Sequence, residues 1–403
     1  MSLALNDDWK TPIDTWAIGL AAWKRFFIIA YILLELEQFD ESSNLYERAK
    51  QLANEIHDEL RFAKTLHQIG NIHYAKGRYD EAERLYNQSL EIERESGDEL
   101  ATAKTLCQLA LLKHDKGNYD EAERQYSEAK IIFERLGDES GTAATLHQLA
   151  NAEFRKGRYS EAKKLYDQSL GIKLRLGDQS GIATTMHQLA LIEYSRGNCD
   201  EAEQGYNEAK MIFERIGDES GLALTLHQLG MIQQDRGNHG EAEKLYNQSL
   251  EIVSRLGEEL GIAATLHQLG TIQYGKGNYD EAERLYTRSL GVKRQLGDRL
   301  GIAAALHELG RIQQKRKNYD AAKRLYTESL DMSRTLGAEL VIARTIAQFG
   351  ALAAELGDLV LADAFYGKAC RKLKELGAKS ELEQASRDWE LIRSSMRHSS
   401  DSS

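Results

Sequence analysis

A single proline, Pro12, stands in a chain of 403 residues, which leaves the backbone free to be helical nearly everywhere. Cysteine is equally scarce. Cys107, Cys199 and Cys370 form no CxxC pair, so neither a disulfide framework nor a zinc module is indicated, and a reducing cytoplasm fits best. There is no excess of positive charge: 52 Lys and Arg stand against 63 Asp and Glu, a net charge of -11. That balance argues against general affinity for nucleic acid or an anionic membrane, while leaving room for a local basic patch. Long apolar runs are also missing. The uncharged stretch from Phe26 to Leu34 is bounded by Lys24, Arg25 and Glu35, too short against the roughly 20 residues that cross a bilayer. A cleaved signal peptide is not expected, because this region already keeps the later register at Phe39, Tyr46 and Ala49. Finally, no phosphate-binding glycine loop, HExxH or nucleophile motif occurs, so neither an enzyme, a cofactor nor a metal site is expected.

What the chain has is a beat of 40 residues. TLHQIG at Thr65 returns as TLCQLA at Thr105, TLHQLA at Thr145, TMHQLA at Thr185, TLHQLG at Thr225 and Thr265, ALHELG at Ala305 and TIAQFG at Thr345. A fixed period of this size marks a solenoid, whose units bury their apolar faces only by stacking. In the unit spanning residues 98–137, Asp98 caps a first helix that ends near Gly117; Asn118 with Glu121 opens a second that ends at Gly137. Two such helices with a short turn form an antiparallel hairpin. Small residues recur where helices approach (Gly70, Ala110, Ala150 and on to Gly350; Ala82 to Ala362), and a tyrosine from Tyr46 to Tyr366 fills each unit, its hydroxyl expected near the solvent edge. A longer beat alternates Asn-Gln-Ser-Leu units with EAKIIFERLGDES-like units.

Leu66, Ile69, Gly70, Tyr79, Ala82, Tyr86 and Ser89 stand where the tetratricopeptide repeat family carries its signature residues, and the chain resembles that family from about residue 20 to 378. The longer unit and the LGD-type turns resemble the branch found in kinesin light chains and prokaryotic signal-transducing NTPase sensor arrays. That resemblance implies an all-α, right-handed α-solenoid of about nine antiparallel hairpins, its first helices lining a concave groove where ligands bind.

On a helical wheel, Phe62, Leu66, Ile69, Gly70 and Ile72 share one arc, with Lys64, His67, Gln68 and Asn71 opposite. The repeated His and Gln are therefore expected on the exposed face of the first helices, as two ladders. They would bond between neighbouring helices, pair with the backbone of a bound peptide, or, least in keeping with one ligand per helix, hold a metal. The candidate groove is His147, Gln148, Asn151, Phe154, His187, Gln188, Leu191, Tyr194, His227, Gln228, Met231, His267, Gln268, Tyr274 and Arg311, with an apolar anchor between Phe154 and Met231.

At the amino end Thr11 and Pro12 start a helix whose stripe of Ile13, Trp16, Leu20, Trp23 and Phe27, with Trp9 before it, either caps the array or docks a partner. The divisions expected are an aromatic capping segment (1–19), the repeat array (20–378), a capping helix (379–396) and a disordered tail (397–403). The function expected is a cytoplasmic, non-enzymatic scaffold binding a protein or peptide. The alternative is the ligand-sensing array of a prokaryotic signalling or defence system acting through its amino end. Self-association or partner docking through the aromatic stripe belongs to either reading; nucleic acid and membrane belong to neither.

Overall fold

The computed structural model describes the backbone over residues 12–401 and the side chains over residues 16–397, so Trp9 and the side chain of Ile13 lie outside the described residues. Among the described residues there are nineteen α-helices and no strand. They fall into two compact units, residues 1–205 and 206–403. Unit 1 holds α1 (Pro12–Glu35), α2 (Phe39–Glu55), α3 (Glu59–Ala75), α4 (Tyr79–Ser96), α5 (Glu99–Asp115), α6 (Tyr119–Leu136), α7 (Glu139–Arg155), α8 (Tyr159–Leu176), α9 (Gln179–Ser195) and the start of α10 (Cys199–Ile216). Unit 2 continues with α11 (Glu219–Asp235), α12 (His239–Leu256), α13 (Glu259–Gly275), α14 (Tyr279–Leu296), α15 (Arg299–Lys315), α16 (Tyr319–Leu336), α17 (Glu339–Glu355), α18 (Leu359–Glu375) and α19 (Lys379–Asp401). Each unit is an all-α solenoid of stacked hairpins.

The helix boundaries follow from local chemistry. Gly97 ends α4 at φ 72°, a left-handed conformation that suits glycine, and Asp98 then caps α5 by accepting the Ala101 amide at 3.0 Å. Asp138, Asp178, Asp218 and Asp298 repeat that cap. The second cap differs from expectation, since Asn118 makes no side-chain bond to its helix. Its counterparts Asn278 and Asn318 instead turn their amides back to Gln273 at 2.8 Å and Gln313 at 2.9 Å.

Tyr46, Tyr86, Tyr126, Tyr166, Tyr206, Tyr246, Tyr286 and Tyr326 are fully buried. A Cβ on Gly70 would lie 2.6 Å from the Tyr86 ring, and one on Gly310 2.6 Å from that of Tyr326, which is why glycine stands there. The longer beat also has a cause. Ser89 donates to the Ala63 carbonyl at 2.8 Å, and Ser169, Ser249, Ser289 and Ser329 do likewise, whereas the alternate units carry Ala129 and Ala209 and pack without that bond. Successive hairpins are joined at the surface by Lys76–Asp40 (2.6 Å), Lys116–Asp80 (2.7 Å) and Lys156–Asp120 (2.6 Å), so the recurring acids serve stacking as well as helix starts.

At the amino end the aromatic stripe turns mostly inward. Trp23 is buried, donates to Thr65 Oγ1 at 3.1 Å and stacks on Phe27, which meets Tyr46 edge-on. Leu20 is half-buried and Trp16 exposed. Trp23 is thus core rather than interface, because α2 and α3 cover that side. The stretch Trp16–Glu35, 20 residues, is long and apolar enough by length and composition to cross a membrane, which corrects the shorter estimate from the uncharged run alone. At the other end, α19 buries Ala385 and bonds Trp389 to Asp363 at 2.8 Å, then continues as helix to Asp401, past residue 396 where the sequence reading ended it.

Candidate functional site

The first helices of the hairpins, α3 to α9 by odd numbers in unit 1 and α11 to α17 in unit 2, carry the residues expected to face a groove. The histidines do not lie on an open face. His147, His187 and His307 are buried and His67, His227 and His267 half-buried. The reason is a partner the sequence reading passed over, the threonine that opens each TLHQLG. His67 Nδ1 lies 2.8 Å from Thr105, His147 3.1 Å from Thr185, His227 3.1 Å from Thr265 and His307 3.0 Å from Thr345. Thr185 gives its own hydrogen to the Gly181 carbonyl at 2.7 Å, so His147 must be the donor. The rings of His67, His147, His227, His267 and His307 also pack on the tyrosine of their own hairpin, as His147 does on Tyr166 at 5.0 Å. Burial pushes the imidazoles of His67, His187, His227, His267 and His307 down to about 4, and that of His147 to about 3. The ladder is therefore neutral at pH 7 and joins neighbouring helices. Where Ala305 replaces the threonine, His267 Nδ1 is left without a hydrogen-bond partner.

The glutamines are half-buried, and two of them end a chain of bonds that starts in the core. Tyr86 donates to Asn71 at 2.7 Å and Asn71 to Gln68 at 3.0 Å; Tyr166, Asn151 and Gln148 repeat this, with Asn151 to Gln148 at 2.9 Å. The Tyr86 and Tyr166 hydroxyls are thus spent inside the fold rather than left at a solvent edge. In unit 2 the acceptors change to Gln234 (3.1 Å), Thr271 (3.0 Å) and Gln314 (2.8 Å). Phe154 packs beside Ala150, Ala162, Tyr166 and Ile192, and Met231 beside Tyr246 and Leu266, so both belong to their hairpin cores. Leu191 and Tyr194 are half-buried on α9, and Gln188, Gln228 and Gln268 half-buried on their helices.

An opening of about 790 Å³ lies in unit 2 where α15, α17 and α19 meet. Tyr274 and Arg311 from the expected set line it, and Glu308, Gln314, Arg344, Gln348, Glu355 and Glu381 join them. The Arg311 guanidinium lies 4.3 Å over the Tyr274 ring and 2.7 Å from Glu308. Burial works against both charges, yet Arg311 holds the Glu308 carboxyl below its usual range, and Glu308 raises Arg311 in return. Gln314 links Tyr326 to Glu355 at 2.9 Å, and Arg344 pairs with Glu381 of α19. Glu381 was missed because it belongs to the wall that α19 contributes from outside the repeat. Within the repeat the signal was present in the breaks of the ladders, Glu308 for glutamine and Ala347 for histidine.

Unit 1 has smaller openings. One of about 300 Å³ lies between α3 and α5, lined by Phe27, Lys64, His67, Gln68, Leu100 and Lys104 above the buried Glu93. Glu93 Oε1 lies 2.9 Å from Ser89 Oγ and 3.2 Å from Thr105 Oγ1, and burial raises its carboxyl. The neighbouring opening, about 330 Å³, includes Gln148. Among the described residues no three metal-ligating side chains converge.

Comparison with known proteins places the fold. No curated protein matches the chain significantly. A signal transduction ATPase with numerous domains (STAND) protein with a tetratricopeptide repeat sensor, from Pyrococcus horikoshii, superposes with a TM-score of 0.62 at 16% identity over 88% of this chain; the chain spans 54% of that protein. A Rap protein complexed with competence and sporulation factor gives 0.57 at 14% identity, covering 95% of this chain and 99% of its own. The Rap conjugation gene regulator of the plasmid pLS20, in complex with the Phr* peptide, gives 0.54 at 16% identity, covering 74% and 80%. At such identities the likeness is one of fold. The tetratricopeptide repeat profile matches residues 25–95, 101–175, 181–255, 221–295 and 261–335, well over half of the chain, which therefore belongs to the tetratricopeptide repeat family.

Proposed function

We propose that this protein is a non-catalytic interaction scaffold of a reducing cytoplasm that holds a peptide or protein segment along its first-helix grooves, with the principal anchor at the α15–α17–α19 opening. The observation that carries this reading is the pairing, in one open cavity of about 790 Å³, of an aromatic floor (Tyr274) with Arg311, Glu308, Gln348 and Arg344. Such a lining offers donors and acceptors to an extended backbone and charge to its side chains. This moves the anchor away from the stretch between Phe154 and Met231, whose apolar chains serve hairpin cores. The peptide-bound Rap regulator supports the reading by analogy of fold. A sensing role, in which occupancy of the groove is passed to an effector, is favoured by the fold shared with the STAND sensor.

The test is selection of a displayed random peptide library on the intact protein, repeated on Arg344→Glu and Gln348→Ala, both at positions whose side chains reach the opening without filling a core. Peptides enriched on the parent and lost on both variants are expected. Enrichment that survives both changes places the anchor elsewhere, and a variant with altered helicity is replaced by Arg387→Ala.

A further inference from the structure

Helix α1 presents two apolar faces, and only one is covered. Trp23, Ala30 and Phe27 face α2 and α3. On the opposite side Ile18, Ile28, Ile29, Ile32 and Leu36 are 59, 58, 39, 52 and 62% exposed. Two of these positions have counterparts one repeat later that show what such a face is for. Ile69 and Ile72, each 40 residues beyond Ile29 and Ile32, are 1% exposed because the preceding hairpin, through Tyr46, stacks on them. The face of α1 is thus a stacking surface that nothing among the described residues covers.

Its pattern identifies a matching surface. Ile18, Ala21, Arg25, Ile28 and Ile32 follow spacings of three and four, the seam of a paired helix. Lys24 and Arg25 stand midway along α1, Glu35 and Glu37 at and just past its carboxyl end, all exposed. Turned end for end, the half of the seam from Arg25 to Glu35 is its own complement: a two-fold axis level with Ala30 sets Ile28 against Ile32 of the second copy and Arg25 beside Glu35 of the second copy. We propose that α1 is a homodimerisation helix, pairing antiparallel with α1 of a second copy through its outer aliphatic face. A bilayer suits the same face less well, since Arg25 lies within the stripe and an arginine at mid-membrane costs about 2.5–3.5 kcal/mol. Three turns of helix bury less than the roughly 800 Å² per partner of a standard interface, so the dimer is weak and concentration-dependent.

The test is sedimentation velocity of the full chain across concentrations from about 1 to 100 μM, the range set by weak interfaces. The parent protein should pass from monomer to dimer. Ile28→Lys with Ile32→Lys should remain monomeric with unchanged circular dichroism and melting, because both residues are solvent-exposed in the monomer. Arg25→Glu and Glu35→Arg should each weaken the dimer several-fold, and the two together should restore it. A parent protein that stays monomeric throughout overturns the proposal, as does a double charge exchange that fails to rescue. Co-flotation of the monomer with vesicles of phosphatidylcholine and phosphatidylglycerol, lost in the Ile28→Lys, Ile32→Lys variant, would assign the face to a lipid surface and overturn it likewise.

Discussion

The grooves of the two units share a scaffold and differ in what they leave uncommitted. In unit 1 the core tyrosines bond Asn71 and Asn151, which tie up Gln68 and Gln148, and the small opening is edged by Lys64 and Lys104 over the buried Glu93. In unit 2 the same tyrosine position reaches Gln314 and through it Glu355, beside Arg311 stacked on Tyr274, in an opening more than twice the size. The lesson is that a repeat protein diversifies at the residue its core tyrosine touches. Exchange of asparagine for Arg311 at one register position changes the groove from a closed amide chain to an aromatic and charged socket.

The scaffold itself should break equally in both units. Tyr86→Ala and Tyr326→Ala each remove a fully buried ring, and each should cost about 3–5 kcal/mol in urea unfolding of the affected unit. Unequal costs would mean that the hairpins are not equivalent. Gly310→Val should cost about 1–3 kcal/mol, because the Tyr326 ring occupies the space a side chain needs. The same test at Ala150 compares a position that already carries a Cβ.

Acid should act on both units through the His–Thr ladder. The folded imidazoles lie at about 3 to 4, below the ordinary 6.5, so between those values the unfolded chain takes up protons that the folded chain refuses. The ladder's contribution is complete above pH 6.5 and is lost as the pH falls toward 4; urea midpoints at pH 7.5 and 5 measure it. Since each unit carries three ladder histidines, His67, His147 and His187 against His227, His267 and His307, a midpoint shift confined to one unit would contradict the account. The smallest effect is expected at Lys173, buried and bonded to Thr185 at 2.9 Å with its ammonium held below its usual range by burial. Lys173→Met removes that desolvated charge and should leave stability unchanged or raise it by about 1 kcal/mol.

Much of the fold was legible because it was written repeatedly: the Gly97 and Asp98 type of boundary, the small residue, glycine or alanine, under the tyrosine ring and the hairpin period all follow from local chemistry. The site was less legible for two physical reasons. A helical wheel assigns faces within one helix, whereas His147 is buried by the threonine of the next hairpin, 38 residues away. The wall supplied by α19 comes from outside the repeat, so no periodicity announces Glu381 or Asp388 as neighbours of Arg344 and Gln348. Gly181 and Lys173 carry a signal of the same local kind, since the lysine stem lies 2.9 Å from where a Cβ would stand, and at Gly141 the Phe133 ring lies closer still.

The central claim is that ligand is held at the α15–α17–α19 opening of unit 2 rather than at the smaller openings of unit 1. Hydrogen exchange with and without the tightest peptide from the library selection tests it directly. The account predicts added protection on α15, α17 and α19 that Arg344→Glu removes, with α3 and α5 unchanged. Protection concentrated on α3 and α5 instead would contradict it.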